Sequence, residues 1–85
     1  MKTFLVIMEP EQMTEVGRIL KTLGSWARLS AGCWAVEADF VDAVDLREKL
    51  LQSGAYSKML VVEIVDMVWA SYKVGPALRD WLRRV

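Results

Sequence analysis

The sequence predicts an α+β domain in which a four-stranded antiparallel sheet packs against two helices. Two short runs of bulky and β-branched residues, at positions 3–8 and 59–65, indicate buried strands. Two further segments repeat apolar residues at helical spacing. Between those helices lie two short segments joined by Ala31 and Gly32, a pattern typical of a β-hairpin. Together these patterns give the order strand, helix, hairpin, helix, strand.

The first strand leads directly into the first helix. Pro10 ends the apolar run and suits the first turn of a helix, where its missing N–H goes unused. Glu11 near the helix start and Lys21 near its end complement the helix dipole. Gly24 is placed to take the left-handed conformation that ends the helix, and Gly17 is expected to allow close approach to the sheet. The predicted buried stripe consists of Met13, Val16, Leu20 and Leu23, with Ile19 beside it.

The hairpin pairs residues 25–30 with residues 33–38. A two-residue loop would place Leu29 opposite Trp34 and Ala27 opposite Val36 on one face of the sheet. Trp26 would then lie opposite Glu37, and Arg28 opposite Ala35, on the other face. A loop one residue longer would reverse the faces of one strand, because side chains alternate with a period of two.

The second half of the chain repeats the pattern of a helix followed by a strand. Asp42 is a suitable N-cap for a helix that continues to about residue 53, before Gly54. Its buried stripe is expected to hold Ala43, Leu46 and Leu50. Residues 59–65 form the fourth strand. Pro76 then opens a helical extension over about 76–85, whose apolar stripe is Leu78, Trp81, Leu82 and Val85.

This order, β-α-β-β-α-β, is that of a ferredoxin-like sandwich, here a single domain over residues 1–85 with a C-terminal helix. Such a sheet has helices on one face only, and strand alternation divides its residues between the two faces. The predicted helix-covered face holds Phe4, Val6, Met8, Ala27, Leu29, Trp34, Val36, Leu60, Val62 and Ile64. The predicted open face holds Leu5, Ile7, Glu9, Trp26, Arg28, Ala35, Glu37, Val61, Glu63 and Val65.

The composition points toward a protein partner. Lysine plus arginine and aspartate plus glutamate are both 11, so no net charge attracts nucleic acid or anionic lipid. The apolar content of 54% is high for 85 residues, and the open face is too apolar for water, which predicts a homodimer. The expected dimer interface consists of Leu5, Ile7, Trp26, Arg28, Glu37, Val61 and Glu63. One cysteine and no apparent signal peptide or membrane span predict a cytoplasmic protein.

Several segments resemble the SinR-like proteins, a group of small bacterial and phage proteins. The segments are the strand from Phe4 to Met8 with the acidic residue after it, Gly24-Ser25-Trp26, Trp34-Ala35-Val36, the run 60–64 and the closing Trp81-Leu82. The group is itself similar to the second CRISPR-associated protein, which is a small subunit of the spacer-acquisition complex, and to VapD-type toxins. The resemblance implies a dimeric ferredoxin-like protein that acts in a phage, defence or regulatory context.

In some of the wider relatives, the acidic residue that ends the first strand binds a metal for phosphodiester cleavage. The matching residue here is Glu9, which would bind Mg²⁺ or Mn²⁺ in that case. This chain has glutamate rather than the aspartate of those relatives, followed directly by Pro10, and it lacks their arginine pair at the start of the first helix. These departures argue against nuclease activity. The alternative interpretation of Glu9 is a favourable charge at the helix start.

Other reactive groups are few. The chain has no histidine, which is the commonest general base and metal ligand, and Cys33 has no neighbouring base to activate it. Trp26 with Arg28 suggests base stacking on an open sheet. Arg79, Arg83 and Arg84 form a basic cluster that either complements the end of the last helix or contacts an anionic partner. We therefore expect a non-catalytic homodimeric binding protein without a cofactor; the alternatives are a metal-dependent nuclease and a phage factor that inhibits a host defence complex.

Overall fold

Among the residues that the structure describes, four strands and two helices form the main elements of the fold. A computed structural model describes residues 1–55, 58–65, 80–81 and 83–84. The elements are the strands Lys2–Met8 (β1), Gly24–Ser30 (β2), Cys33–Ala38 (β3) and Met59–Ile64 (β4), and the helices Pro10–Leu23 (α1) and Ala43–Gln52 (α2). They form one antiparallel sheet with the strand order β2-β3-β1-β4. The predicted α+β class and element order are confirmed, and the arrangement is compatible with a small ferredoxin-like fold.

The core lies between the sheet and the two helices. Strand β1 contributes Phe4 and Val6, which are fully buried, and helix α1 contributes Met13, Val16 and Leu20 as the sequence predicted. Helix α2 adds Leu46 and Leu50, both fully buried, while Ala43 is only partly buried. Each of these side chains gains about 1.5 to 3 kcal/mol from full burial, so this layer contributes most of the stability of the fold.

The predicted caps and breaks of the helices are largely confirmed. Pro10 is the first residue of α1, and Glu9 precedes it with an extended backbone. The side chain of Asp42 accepts a hydrogen bond of 2.9 Å from the backbone N–H of Asp45, so Asp42 is the N-cap of α2. Gly54 follows α2 with a positive φ of 94°, a conformation that favours glycine. Gly24 follows α1 as predicted, but its backbone is extended, with a φ of 169°, and the predicted left-handed conformation is wrong.

The predicted register of the hairpin is wrong along most of its length. Ser30 does pair with Cys33 across the two-residue turn, but Arg28 pairs with Trp34 and Trp26 with Val36. The register shifts by one residue between Arg28 and Ser30, which leaves Leu29 without a paired position, as in a β-bulge. Because of this shift, Trp26 and Arg28 lie on the helix side of the sheet, and Ala27 lies on the open face.

The predicted faces of β4 are also reversed. Val6 pairs with Val61, and Phe4 with Glu63, so Val61 and Glu63 share the helix side with the core residues of β1. Val61 packs against the core, and Glu63 forms an ion pair of 3.5 Å with Lys2 at the end of the sheet. Side chains that were expected toward the helices are instead on the open face, namely Leu60, Val62 and Ile64.

A second, smaller apolar cluster covers part of the open face. Trp81 is only 5% exposed and packs with Ala27, Ala35 and Leu5. Its indole Nε1 donates a hydrogen bond of 2.7 Å to Oγ of Ser25. The C-terminal segment thus contacts the sheet of its own chain through Trp81. The remainder of the predicted stripe of the last helix, including Leu78, lies outside the described residues.

Candidate functional site

Two tryptophans stack against each other where α1 crosses the hairpin. The rings of Trp26 and Trp34 lie 5.0 Å apart between centroids, with 22° between their planes. Trp34 is 8% exposed, as expected for a core residue, whereas Trp26 is 40% exposed. The six-membered ring of Trp34 lies beneath Gly17 of α1, where a larger residue would collide with it. The pair therefore presents one buried ring and one accessible ring.

A cavity of about 320 Å³ lies beside Trp34 and is lined by three cationic residues. Arg18 and Lys21 lie one turn apart on α1, and Arg28 extends from β2. Trp34 and Gly17 form part of the apolar wall. We call the site formed by these five residues the cationic groove. No acidic side chain lines it among the residues that the structure describes.

The three cations of the groove have no carboxylate partner within the described part of the chain. The two ion pairs found there are Lys2 with Glu63 and Arg47 with Glu48, both away from the groove. Arg18, Lys21 and Arg28 are all exposed. Like charges that share one cavity repel each other, and a bound anion would relieve that repulsion. The groove therefore has the charge of an anion site.

Lys21 connects the groove to the tryptophan pair. Its Nζ lies 4.8 Å from the ring centroid of Trp26 and 5.6 Å from that of Trp34. With the 5.0 Å between the two rings, these distances form a nearly equilateral triangle. The ammonium group therefore lies beside the stack, in cation–π contact with both rings, rather than beyond Trp26. The outer face of Trp26 is left uncovered by Lys21.

One polar atom of the site is buried without an acceptor among the described residues. The indole Nε1 of Trp34 has almost no solvent exposure and no hydrogen-bond partner there. An unsatisfied buried donor costs about 1 to 3 kcal/mol. Trp34 is thus held in place by ring contacts with Trp26, Lys21 and the backbone of α1 rather than by hydrogen bonding.

A second cavity, of about 380 Å³, lies on the other side of α1. It is bounded by Glu15, Arg18 and Ile19 of α1 and by residues 53–55 after α2. Arg18 borders both cavities, but here an acidic side chain accompanies it. Of these two cavities, the cationic groove is the one whose described lining is positively charged without an acidic side chain.

The open sheet face carries an exposed apolar strip at the β1–β4 side. Leu60 is 57% exposed, Val62 is 38% exposed and Ile7 is 37% exposed. Ile7 and Leu60 are directly paired across the two strands, and Val62 pairs with Leu5. We call Ile7, Leu60 and Val62 the open strip. Trp81 covers the other half of this face, so within the described part of the chain the strip is its uncovered part.

The predicted interface residues are divided between the two faces of the sheet. Leu5, Ile7 and Glu37 lie on the open face as expected. The predicted placement of four others on that face is wrong because of the two register differences described above; these are Trp26, Arg28, Val61 and Glu63. The open face is consequently less charged than the sequence suggested.

Glu9 is exposed at the end of β1, and its backbone carbonyl accepts hydrogen bonds from the N–H groups of Gln12 and Met13. Its side chain forms no capping hydrogen bond with α1. Among the described residues there is no group of three or more His, Cys, Asp or Glu side chains that could hold a metal ion. The structure thus places Glu9 at the helix start without assembling acidic partners around it in the described part of the chain.

Cys33 is half-buried on the open face, opposite Ile7. Burial raises the pKa of its thiol above the ordinary value of 9.0, because the buried site disfavours the thiolate. A raised pKa is the opposite of what a nucleophilic cysteine needs. The sequence gives Cys33 no neighbouring base to activate it, and the structure holds its thiol partly buried.

The basic cluster of the C-terminus is only partly described. Arg83 and Arg84 are exposed, while Arg79 lies outside the described residues. Nothing in the sequence marked Arg18 on its own as a site residue, and the position of Lys21 indicated only a favourable charge at the end of α1. Their spacing of three positions on α1 was a signal for a shared helix face, but it gained meaning only once Arg28 was placed on the same side of the sheet.

Comparisons with known proteins add no family assignment. No protein-family model matches the chain, and no curated protein is significantly similar to it. The resemblance to the SinR-like proteins therefore stays a prediction. Within the described residues, no helix is long and apolar enough to cross a membrane.

Proposed function

We propose that this chain is a non-catalytic, ferredoxin-like binding protein that acts in the cytoplasm as a homodimer. The observation that carries the proposal is the open strip, in which Leu60 is 57% exposed beside two other exposed aliphatic side chains. Apolar side chains that adjoin each other on a sheet face favour a protein surface over water. The context suggested by the resemblance, in a phage or in a defence or regulatory complex, belongs to the same proposal.

A second copy is the occupant that best fits the strip. The three side chains carry no charge, so the same patch on another copy meets it without repulsion or unpaired polar groups. Strand β4 is an edge strand of the described sheet, and edge strands are common places for pairing with another chain. A two-fold contact then buries the strip of both copies at once.

The expected affinity is modest. Burying the exposed parts of these side chains on both copies gains about 10 kcal/mol, at about 25 cal/mol for each Å² of apolar surface. That gain exceeds the lower estimate for the entropy cost of association, about 4 kcal/mol, by about 6 kcal/mol. We therefore expect a dimer whose population rises with concentration between about 10 μM and about 1 mM.

Sedimentation across this concentration range tests the proposal. Leu60→Asp should shift the protein toward the monomer, because a carboxylate buried without a partner costs several kcal/mol. Val44→Asp is the matched control, since Val44 is 54% exposed but lies on α2, away from the sheet face. A monomer at all concentrations, or equal effects of the two substitutions, would contradict the proposal.

A further inference from the structure

We propose that the cationic groove binds a nucleotide, with the phosphate held by Lys21, Arg28 and Arg18 and the base stacked on the outer face of Trp26. The groove lies on the helix side of the sheet, opposite the open strip. Binding there is thus a second activity, independent of self-association.

The phosphate part of the proposal rests on charge. Three exposed cations from two separate elements line one cavity, and none has a carboxylate partner in the described part of the chain. A phosphate monoester carries about −1.5 to −2 charges near neutral pH and offers three acceptor oxygens. Arg18 and Arg28 can bind these oxygens with two N–H groups each, while Lys21 contributes a point charge.

The base part rests on the tryptophan pair. Trp26 is 40% exposed, and its inner face is fixed by stacking on the buried ring of Trp34. Lys21 lies beside the stack, as its distances of 4.8 and 5.6 Å to the two rings require. A base on the outer face of Trp26 would extend the stack, and Lys21, which contacts both rings and also lines the cavity, would connect the two parts of the site. A rigid aromatic platform of this kind stabilises any base, because every base has a π-face.

The size and layout of the groove favour a small nucleotide over a nucleic-acid strand. The cavity of about 320 Å³ is at the lower end of the range for small-molecule sites. The three cations converge on one cavity instead of forming a track, and the chain has no net charge. A polyanionic strand is instead recognised by a row of basic residues that follows its backbone.

The first experiment titrates ADP, adenosine and inorganic phosphate into the ¹⁵N-labelled protein with EDTA present. ADP should shift the indole N–H signal of Trp26 and the backbone signals of Lys21 and Arg28, and it should bind at least tenfold more tightly than either fragment. If ADP shifts none of these signals at about 10 mM, or binds no more tightly than phosphate alone, the proposal is wrong.

Variants separate the two halves of the site. Lys21→Gln combined with Arg28→Gln should weaken ADP binding at least tenfold and leave adenosine binding nearly unchanged. Trp26→Leu should weaken ADP and adenosine alike, by roughly 5- to 150-fold. The matched control is Arg47→Gln combined with Lys49→Gln, which removes the same charge from α2, away from the groove. Equal losses in the groove and control variants would contradict a specific site.

The last ligand to be titrated is a short oligothymidylate without terminal phosphates, which tests for binding of a single strand. It should bind more weakly than ADP, because it offers only phosphodiesters to a site with room for one phosphate group. Binding more than tenfold tighter than ADP, lost in the Lys21 and Arg28 variant, would overturn the small-nucleotide assignment in favour of a single strand. The wild-type titration supports or refutes the proposal even if Trp26→Leu does not fold.

Discussion

Trp81 donates a hydrogen bond of 2.7 Å from its indole Nε1 to Oγ of Ser25, which joins the C-terminal end of the chain to the edge strand β2. The ring lies over Ala27 and Ala35, whose small side chains leave space for it on the sheet. Trp81 is thereby 5% exposed, although it follows the last described strand by many residues. Among the described residues, this contact covers the β2–β3 half of the sheet face and leaves side chains of the β1–β4 half exposed.

Trp81→Ala should therefore lower the free energy of unfolding by about 3 to 5 kcal/mol, because it removes a buried aromatic ring. Ser25→Ala should cost only about 1 kcal/mol, the net value of one hydrogen bond. The measurement is denaturant unfolding of each variant. Arg83→Ala combined with Arg84→Ala is the control and should stay within about 0.5 kcal/mol, since both residues are exposed. An unchanged midpoint for Trp81→Ala would show that the ring contributes nothing to the fold.

Gly17→Ala tests the close approach of α1 to the tryptophan pair. A methyl group at this position would lie 2.9 Å from Cη2 and 3.0 Å from Cζ2 of Trp34, whose ring is confined by its stack on Trp26. Overpacking of this kind costs about 1 to 3 kcal/mol. Alanine regains up to about 1 kcal/mol of helix propensity, so we expect a net loss of stability.

Thr14→Ala is the reference for that measurement, because Thr14 is exposed on the same helix and reports propensity alone. Thermal unfolding of the two variants gives the comparison. If Gly17→Ala is stabilised as much as Thr14→Ala, the ring has room to move and the packing described for the groove is wrong.

Local patterns predicted the elements of this fold, whereas contacts between distant residues decided the faces. The helix of residues 10–23 and the N-cap at Asp42 follow from spacing and from single-residue chemistry, which a sequence displays directly. Strand β4 is apolar at Met59, Leu60, Val61 and Val62 in succession, so alternation could not indicate which side faces the helices. The pairing with β1 made that choice, and it brought Glu63 to within 3.5 Å of Lys2.

The cationic groove could not be predicted from the sequence for a related reason. A shift of one residue at Leu29 moves Trp26 and Arg28 to the other side of the sheet, and no turn residue in the sequence marks it. Stacking of Trp26 on Trp34 accompanies the shifted register and places two aromatic rings on the same face. The groove therefore depends on a long-range side-chain contact that the sequence pattern does not reveal.

The Cys33 thiol should be alkylated slowly at neutral pH, and the pH at which its alkylation rate is half-maximal should be raised. Burial raises its pKa above 9.0, so the midpoint of the alkylation rate against pH should lie above 9.0 in the folded protein and near that value in the unfolded chain. Because the thiol has the higher pKa in the folded state, its ionisation does not lower the free energy of unfolding below about pH 9. That free energy falls as the pH rises through the pKa of the folded state. Iodoacetamide labelling of folded and denatured protein measures both midpoints. A folded midpoint below 9.0 would contradict the burial of this side chain.

Purified protein should not cleave single- or double-stranded RNA or DNA with Mg²⁺ or Mn²⁺. Glu9 is exposed at the start of α1, and a hydrolytic metal site needs several oxygen ligands held together. Gel assays of the wild type and of Glu9→Gln provide the check, with circular dichroism to confirm that the variant is folded. Cleavage that is present in the wild type and absent from folded Glu9→Gln would replace the binding function with a metal-dependent nuclease.

The most direct test of the homodimer is an isotope-filtered NOE measurement on a sample that mixes ¹³C-labelled and unlabelled copies of the chain. It detects only contacts between different copies, at a concentration of about 1 mM, where the dimer should be populated. We predict intermolecular NOEs to the methyl groups of Ile7, Leu60 and Val62, and none to the equally exposed methyl groups of Val44 on α2. The absence of intermolecular NOEs at the open strip, or their appearance at Val44 instead, would contradict the proposed interface.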